Sequence, residues 1–180
     1  MKVISEHFDG LKLIQLQQFA DNRGFFTERF AKSKFEAAGI PSNYVQDNFS
    51  HSKAGVIRGL HFQRNPDQAK LVGCTNGKII DVAVDIRIGS KTFGKYFSVE
   101  LTSENGLMLY IPAGFAHGFA AITDADVMYK VDGEYNKEGE GGIIYNDGVL
   151  NIDWGIKYPI VSEKDLKLNS WKDYLNNPVF

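Results

Sequence analysis

The chain has 180 residues and a formal net charge of −2, with 43% hydrophobic and 23% charged residues. That is an ordinary balance for one globular domain with a real core, and the absence of any block of like charge excludes the basic face that non-specific nucleic-acid binding needs. No apolar run nears the length of a membrane span, the start Met1 to Glu6 does not read as a signal peptide, and the lone Cys74 excludes an internal disulfide framework, so the expected setting is the reducing cytoplasm.

The first patterned run, Asp21 to Phe30, mixes charge with three phenylalanines and reads as an alternating strand. Its rings beside Arg23 and Glu28 would also suit a nucleobase, and the two readings are compatible. Ser33-Lys34-Phe35-Glu36 has capping-box form and Gly39 is a natural stop, which predicts a short helix. In Arg58-Gly59-Leu60-His61-Phe62-Gln63, an ideal strand would point Arg58 and His61 to opposite faces. A bulge at Gly59 would bring them together. Asn76-Gly77 and Asn105-Gly106 each lie between apolar runs, which predicts two type I′ hairpins. Between them, Ile80, Val82, Val84 and Ile86 fall on one phase and Asp81, Asp85 and Arg87 on the other, as in a strand with one apolar face. Tyr96 to Leu101 and Leu107 to Ile111 read as the arms of the second hairpin. Pro112, Gly114 and Gly118 bracket His117 and predict a tight corner. Gly139-Glu140-Gly141-Gly142 reads as a flexible turn, and Ser162-Glu163-Lys164-Asp165 as a second helix start. Many short strands cut by turns indicate a sandwich or a barrel, which pattern alone does not separate.

Two histidines, His61 and His117, sit in motif-like settings. A lone strand histidine is more often structural than catalytic. Around His61, however, Arg58 and Gln63 make a polar cluster that is costly to bury unless a partner such as a charged ligand satisfies it. No His-x-His or Cys-x-x-Cys occurs, so no metal site is expected. The glycine fingerprints of dinucleotide and P-loop sites and the Gly-x-Ser-x-Gly elbow are also missing.

Taken together, several segments resemble the dTDP-4-dehydrorhamnose 3,5-epimerase family over nearly the whole chain. They are residues 21–28, Gln46-Asp47-Asn48-Phe49-Ser50, residues 55–63, Lys70-Leu71-Val72, residues 81–87, Pro112 to Phe119, and Ser162-Glu163-Lys164-Asp165. The resemblance implies a mainly-β fold, a cupin-type jelly roll or antiparallel β-sandwich barrel with a few short peripheral helices. It implies one domain over 1–180, with a core of about 45–145 on which N-terminal strands and a C-terminal helical segment pack. It further implies a homodimer sharing residues across its interface, no cofactor, and a dTDP-linked 4-keto-6-deoxyhexose substrate on the route to dTDP-L-rhamnose.

In such a sugar the hydrogens on C3 and C5 flank the carbonyl. Removing one gives an enolate, and reprotonation from the opposite face inverts the centre. The site needs a base, an acid across from it, and a cation or donor at the enolate oxygen. By resemblance His61 is the base, Asp165 orients it, Tyr129 donates the proton and Lys70 stabilises the enolate. Arg23, Glu28, Gln46, Asp47, Asn48, Arg58, His117, Tyr135, Glu140 and Lys164 match substrate-contact positions, some reaching into a partner's site. Phe49, Glu134 and Asn136-Lys137 depart from the family pattern, though none removes a catalytic group. Two alternatives stay open: a mono-epimerase of a related deoxysugar nucleotide, and a non-catalytic sugar-nucleotide-binding cupin.

Overall fold

Short runs of β-branched and aromatic residues, cut by glycine turns, give strands rather than helices along most of the chain. The computed structural model describes residues 1–180. Strands β1 (Lys2–His7), β2 (Leu11–Gln15), β3 (Gln18–Asp21) and β4 (Gly24–Thr27) precede helix α1 (Lys32–Ala37). Next come β5 (Gln46–Ser52), β6 (Ile57–Gln63), β7 (Lys70–Asn76), β8 (Lys78–Asp85) and β9 (Tyr96–Thr102). Strands β10 (Leu107–Ile111), β11 (Phe115–Ala121), β12 (Ala125–Val131) and β13 (Glu140–Gly142) follow. A 3₁₀ turn at Asp165–Lys167 and helix α2 (Trp171–Asn176) come last. No helix is long and apolar enough to cross a membrane.

Two antiparallel sheets face each other, in the orders β1-β2-β10-β7-β12-β5 and β13-β6-β11-β8-β9, and β3-β4 form a separate ribbon. Within them, β5-β12-β7-β10 lies opposite β6-β11-β8-β9, which is the eight-stranded jelly roll with its two Greek keys. The expected fold class is therefore the one that forms. One core cluster, including Val72, Ile79, Leu109 and Phe119, fills the space between the sheets. A second packs Val82, Val84 and Ala116 under Trp154, Trp171 and Tyr174, and a third covers Leu71 and Tyr110 with Phe35 and Ile40.

This topology overturns both hairpin predictions. β7 and β8 lie in opposite sheets, as do β9 and β10, so each Asn-Gly turn carries the chain across the sandwich edge. In each pair only the glycine has positive φ, 72° at Gly77 and 63° at Gly106, where a type I′ turn needs it at both positions. The same topology corrects the reading of β8, which is buried on both faces. Its polar phase faces the interior, where Asp81 and Asp85 have no exposure. Asp85 is satisfied there by Arg87, Ser90 and Thr92 at 2.6–3.1 Å.

Four local readings also change. The run from Asp21 to Phe30 is not one strand, because β3 and β4 turn back on each other with Asp21 opposite Gly24. Helix α1 begins after Ala31 with no side-chain cap, so Ser33 lies inside it; Gly39 does end it, at φ 71°, with Gly39 and Ile40 N–H bonding back to Glu36 and Phe35. Residues 140–142 are a strand paired with β6, and His117 sits mid-strand on β11, the corner falling at Gly114. Ser162 leads only into the short 3₁₀ turn, its Oγ accepting from Asp165 N at 3.1 Å. The last helix, α2, starts instead at Ser170, whose capping box with Asp173 has the same Ser-x-x-acid spacing.

Candidate active site

A cleft of about 720 Å³ opens between the two sheets. Strand β6 supplies its floor. Opposite β11, His61 pairs with His117 and Arg58 with Phe119, so three steps on β6 match two on β11. This bulge turns both Arg58 and His61 into the cleft. It depends on Gly59: a Cβ there would lie 2.6 Å from Gly118 Cα and 2.7 Å from His117 O. The two strands therefore approach closely just where the histidines stand.

The C-terminal segment supplies the partner of His61. Ile57 N and Ile160 O bond at 3.0 Å, and Ile160 N donates to Gly55 O at 2.8 Å, which lays residues 160–165 along β6. Asp165, 4% exposed, then lies with Oδ1 2.8 Å from His61 Nε2 and accepts from Gly59 N at 3.2 Å through Oδ2. Burial pushes the carboxyl pKa up, but the bond and charge of His61, Gly59 N–H and Lys164 outweigh it and hold Asp165 below the usual value. An Nε2–H directed at this carboxylate leaves Nδ1 as the lone-pair nitrogen, so the imidazole is set up as a base.

The facing groups come from the six-stranded sheet. Lys70 opens β7, is nearly fully buried, and donates from Nζ to His61 O at 3.2 Å. Burial lowers its pKa to about 8, against the attraction of Asp81 and Glu140. Tyr129 lines the cleft from β12, and burial raises its pKa in spite of the Arg58 charge. His117 borders the cleft from β11, with Nε2 2.8 Å from Asp81 Oδ1. At the mouth, Glu140 accepts from Lys164 Nζ at 2.7 Å and from Tyr135 OH at 3.0 Å. Those two bonds outweigh burial and keep Glu140 below the usual carboxylate range.

Most of the sequence-predicted site is therefore gathered: His61, Lys70, Tyr129, Asp165, Gln46, Asn48, Arg58, His117, Tyr135, Glu140 and Lys164 all line one cleft. Three residues are not. Asp47 alternates with Gln46 and Asn48 on β5, so its carboxylate faces away and bonds Lys130 Nζ at 2.8 Å. Arg23 lies on the β3–β4 ribbon, largely exposed and paired with Asp21, and Glu28 pairs with Lys34. Sequence reasoning missed Ser50, Asp81 and the role of Gln63. Ser50 lines the cleft with a hydroxyl that has no partner, and period two from Asn48 would have placed it there. Gln63 was expected to need a ligand; backbone groups of two loops satisfy it instead. No group of three or more His, Cys, Asp or Glu is assembled as a metal site. The cations available to an anionic ligand are Arg58, Lys70 and Lys164.

A family model described as dTDP-4-dehydrorhamnose 3,5-epimerase matches residues 5–173. A dTDP-4-dehydrorhamnose 3,5-epimerase of Shigella flexneri is 44% identical over 176 residues, covering 96% of this chain and 97% of the relative. The crystal structure of a dTDP-4-dehydrorhamnose 3,5-epimerase from Bacillus anthracis str. Ames, with TDP and PPi bound, is similar at TM-score 0.91 and 44% identity, covering 94% of this chain and 98% of that one. A dTDP-6-deoxy-D-glucose-3,5-epimerase from Legionella pneumophila Philadelphia 1, in complex with dTDP-4-keto-L-rhamnose, matches at TM-score 0.91 and 42% identity, covering 99% and 94% of the two chains.

Proposed function

The chain belongs to the dTDP-4-dehydrorhamnose 3,5-epimerase family and is an isomerase of that kind, and we propose that His61, Asp165, Tyr129 and Lys70 carry its chemistry. The observation that carries this assignment is the opposition of groups across the cleft: His61 with its buried carboxylate on one sheet, Lys70 and Tyr129 on the other. The substrate is dTDP-4-dehydro-6-deoxy-D-glucose. His61 Nδ1 takes the proton from C3 or C5, and the electron pair moves onto the 4-keto oxygen, whose negative charge Lys70 neutralises. Tyr129 OH then returns a proton to that carbon from the other side, so configuration inverts with no change in oxidation state. Arg58 and Lys164, with Gln46, Asn48 and His117, hold the diphosphate and sugar by a few placed cations and donors, despite the net charge of −2.

The fold acts as one domain over 1–180, and the working form is a cytoplasmic homodimer. Arg23 and Glu28 sit away from this chain's cleft on or beside a ribbon with exposed Phe25 and Phe26, which suits residues lent to a partner's site. The deciding experiment runs the reaction in D₂O and follows deuterium at C3 and C5. Incorporation at both carbons is expected. Incorporation at one alone would make the protein a mono-epimerase, and none at either carbon, with binding intact, would leave a sugar-nucleotide-binding cupin.

A further inference from the structure

Gln63 follows His61 by two residues on β6, borders the cleft and is only 4% exposed. Its amide is committed to the protein. Nε2 donates to Pro66 O and to Glu134 O, both at 2.9 Å, and Oε1 accepts from Asn136 N at 2.8 Å. Both donor hydrogens are used, so Gln63 offers no N–H to a ligand. Pro66 belongs to the loop that runs into Lys70, while Glu134 and Asn136 flank Tyr135 on either side.

The same two loops are joined at further points. Gln68 Nε2 donates to Gly133 O at 2.7 Å, Ala69 N to Asp132 Oδ1 at 2.7 Å, and Asn136 Nδ2 to Asn65 O at 2.6 Å. The Tyr135 side chain is exposed, so its hydroxyl is placed by two things, the bond to Glu140 and the backbone from which the ring extends. Tyr135 N–H is held by Gln46 Oε1 at 3.1 Å, and the groups before and after it are held by Gln63.

We propose that Gln63 is a positioning residue for the epimerisation. It ties the strand that carries His61 to the loop that leads into Lys70 at the start of β7 and to the loop that carries Tyr135, so base, enolate cation and mouth tyrosine keep one relative geometry. This rests on the reading of the cleft as the epimerase site. A buried side chain bonded on three sides to two loops acts as a rigid spacer, and catalytic geometry tolerates little slack between such elements.

The test compares Gln63→Met, which removes all three bonds at similar volume, with Gln63→Glu. The glutamate keeps an acceptor for Asn136 N–H but donates to a carbonyl only when protonated. In the free protein, amide hydrogen exchange of residues 64–69 and 132–136 is expected to quicken about tenfold or more in Gln63→Met. The KM for the sugar nucleotide is expected to rise about tenfold, and by only about twofold when the change is added to Tyr135→Phe, because the two act through one contact. The activity of Gln63→Glu relative to wild type is expected to climb as pH falls, as its carboxyl regains a donor. A side chain that merely supports the fold would give additive kinetic effects and a flat activity ratio against pH, and either result overturns the proposal. Unchanged amide exchange in both loops does so as well. Should Gln63→Met not fold, Gln63→Glu decides through its pH profile. Absence of wild-type turnover would sink the epimerase reading, and the amide exchange would still judge the coupling of the loops.

Discussion

Removing the charge of Lys70 should make the protein more stable and less active, and both effects should depend on pH. Burial takes the ammonium pKa from 10.5 to about 8 even with Asp81 and Glu140 drawing it back up. Between those two values the unfolded chain holds a proton that the folded chain has released, so stability rises with pH across the window. Below it both states are protonated, and the folded state bears the whole cost, roughly 3 kcal/mol for a gap of that size. Lys70→Met abolishes this cost and gives up the bond to His61 O, worth about 1 kcal/mol. The variant should therefore gain about 2 kcal/mol near pH ~6 and lose about 1 kcal/mol near pH ~11. Urea unfolding of both proteins at both pH values measures this directly. In parallel, wild-type kcat/KM should fall along an alkaline limb at about 8, as Lys70 loses the proton that meets the enolate. Lys70→Met should lose about 10²–10³ in turnover, the usual cost of one missing oxyanion donor. A lower urea midpoint for Lys70→Met at the acidic pH, or a difference that stays constant with pH, would refute the reasoning.

His61→Asn should cut turnover by at least ~10²-fold while leaving dTDP affinity close to wild type, which calorimetric titration beside the rate assay will show; a matching loss of affinity would mean His61 only binds. Asp165→Asn should lower turnover by a comparable factor, since its amide can present an N–H where the imidazole needs an acceptor. Because the folded pKa of Asp165 is depressed, its stabilising contribution is present above the ordinary carboxylate pKa and is lost as pH falls through the folded value. The urea midpoints of Asp165→Asn and wild type should therefore differ at neutral pH and converge in acid, and a difference that persists in acid counts against a stabilising role of the Asp165 carboxylate. Gly59→Ala should destabilise by at least ~2 kcal/mol, from a Cβ at φ 112° set against Gly118 Cα and His117 O; an unchanged midpoint would show that β6 and β11 can part at no cost.

The strands were visible in the sequence because their apolar spacing is local, and their pairing was not. Asn76-Gly77 announces a reversal, yet a reversal says nothing about which sheet receives the next strand. In a jelly roll most consecutive strands change sheet, so the turn joins partners in burial rather than in hydrogen bonding. The two phases of β8 mislead for the same reason. Asp81 and Asp85 look like a solvent face until the topology puts a sheet on one side of the strand and the C-terminal segment on the other. Inside, His117 reaches one oxygen of Asp81 and leaves the other without a partner, while Arg87 and two hydroxyls satisfy Asp85.

The site divides along the same line between what is local and what is long-range. The bulge at Gly59 is a local feature, and the glycine itself signals it. The pairing of His61 with Asp165 spans 104 positions, and no periodicity links them. Only the family resemblance brought Asp165, Tyr129 and Lys70 together, and that same resemblance also nominated Asp47, whose strand phase excludes it from this cleft. Alternation along β5 is a stricter guide than proximity in a motif: Gln46, Asn48 and Ser50 enter the cleft, and Asp47 between them cannot. A contact residue on the wrong phase of its own strand can serve a site only by holding another element or by facing a second chain. Asp47 does the first already, through Lys130, whose ammonium lies over the Phe30 ring. Arg23, with Asp21 as its partner and its guanidinium largely in solvent, holds no other element of this chain.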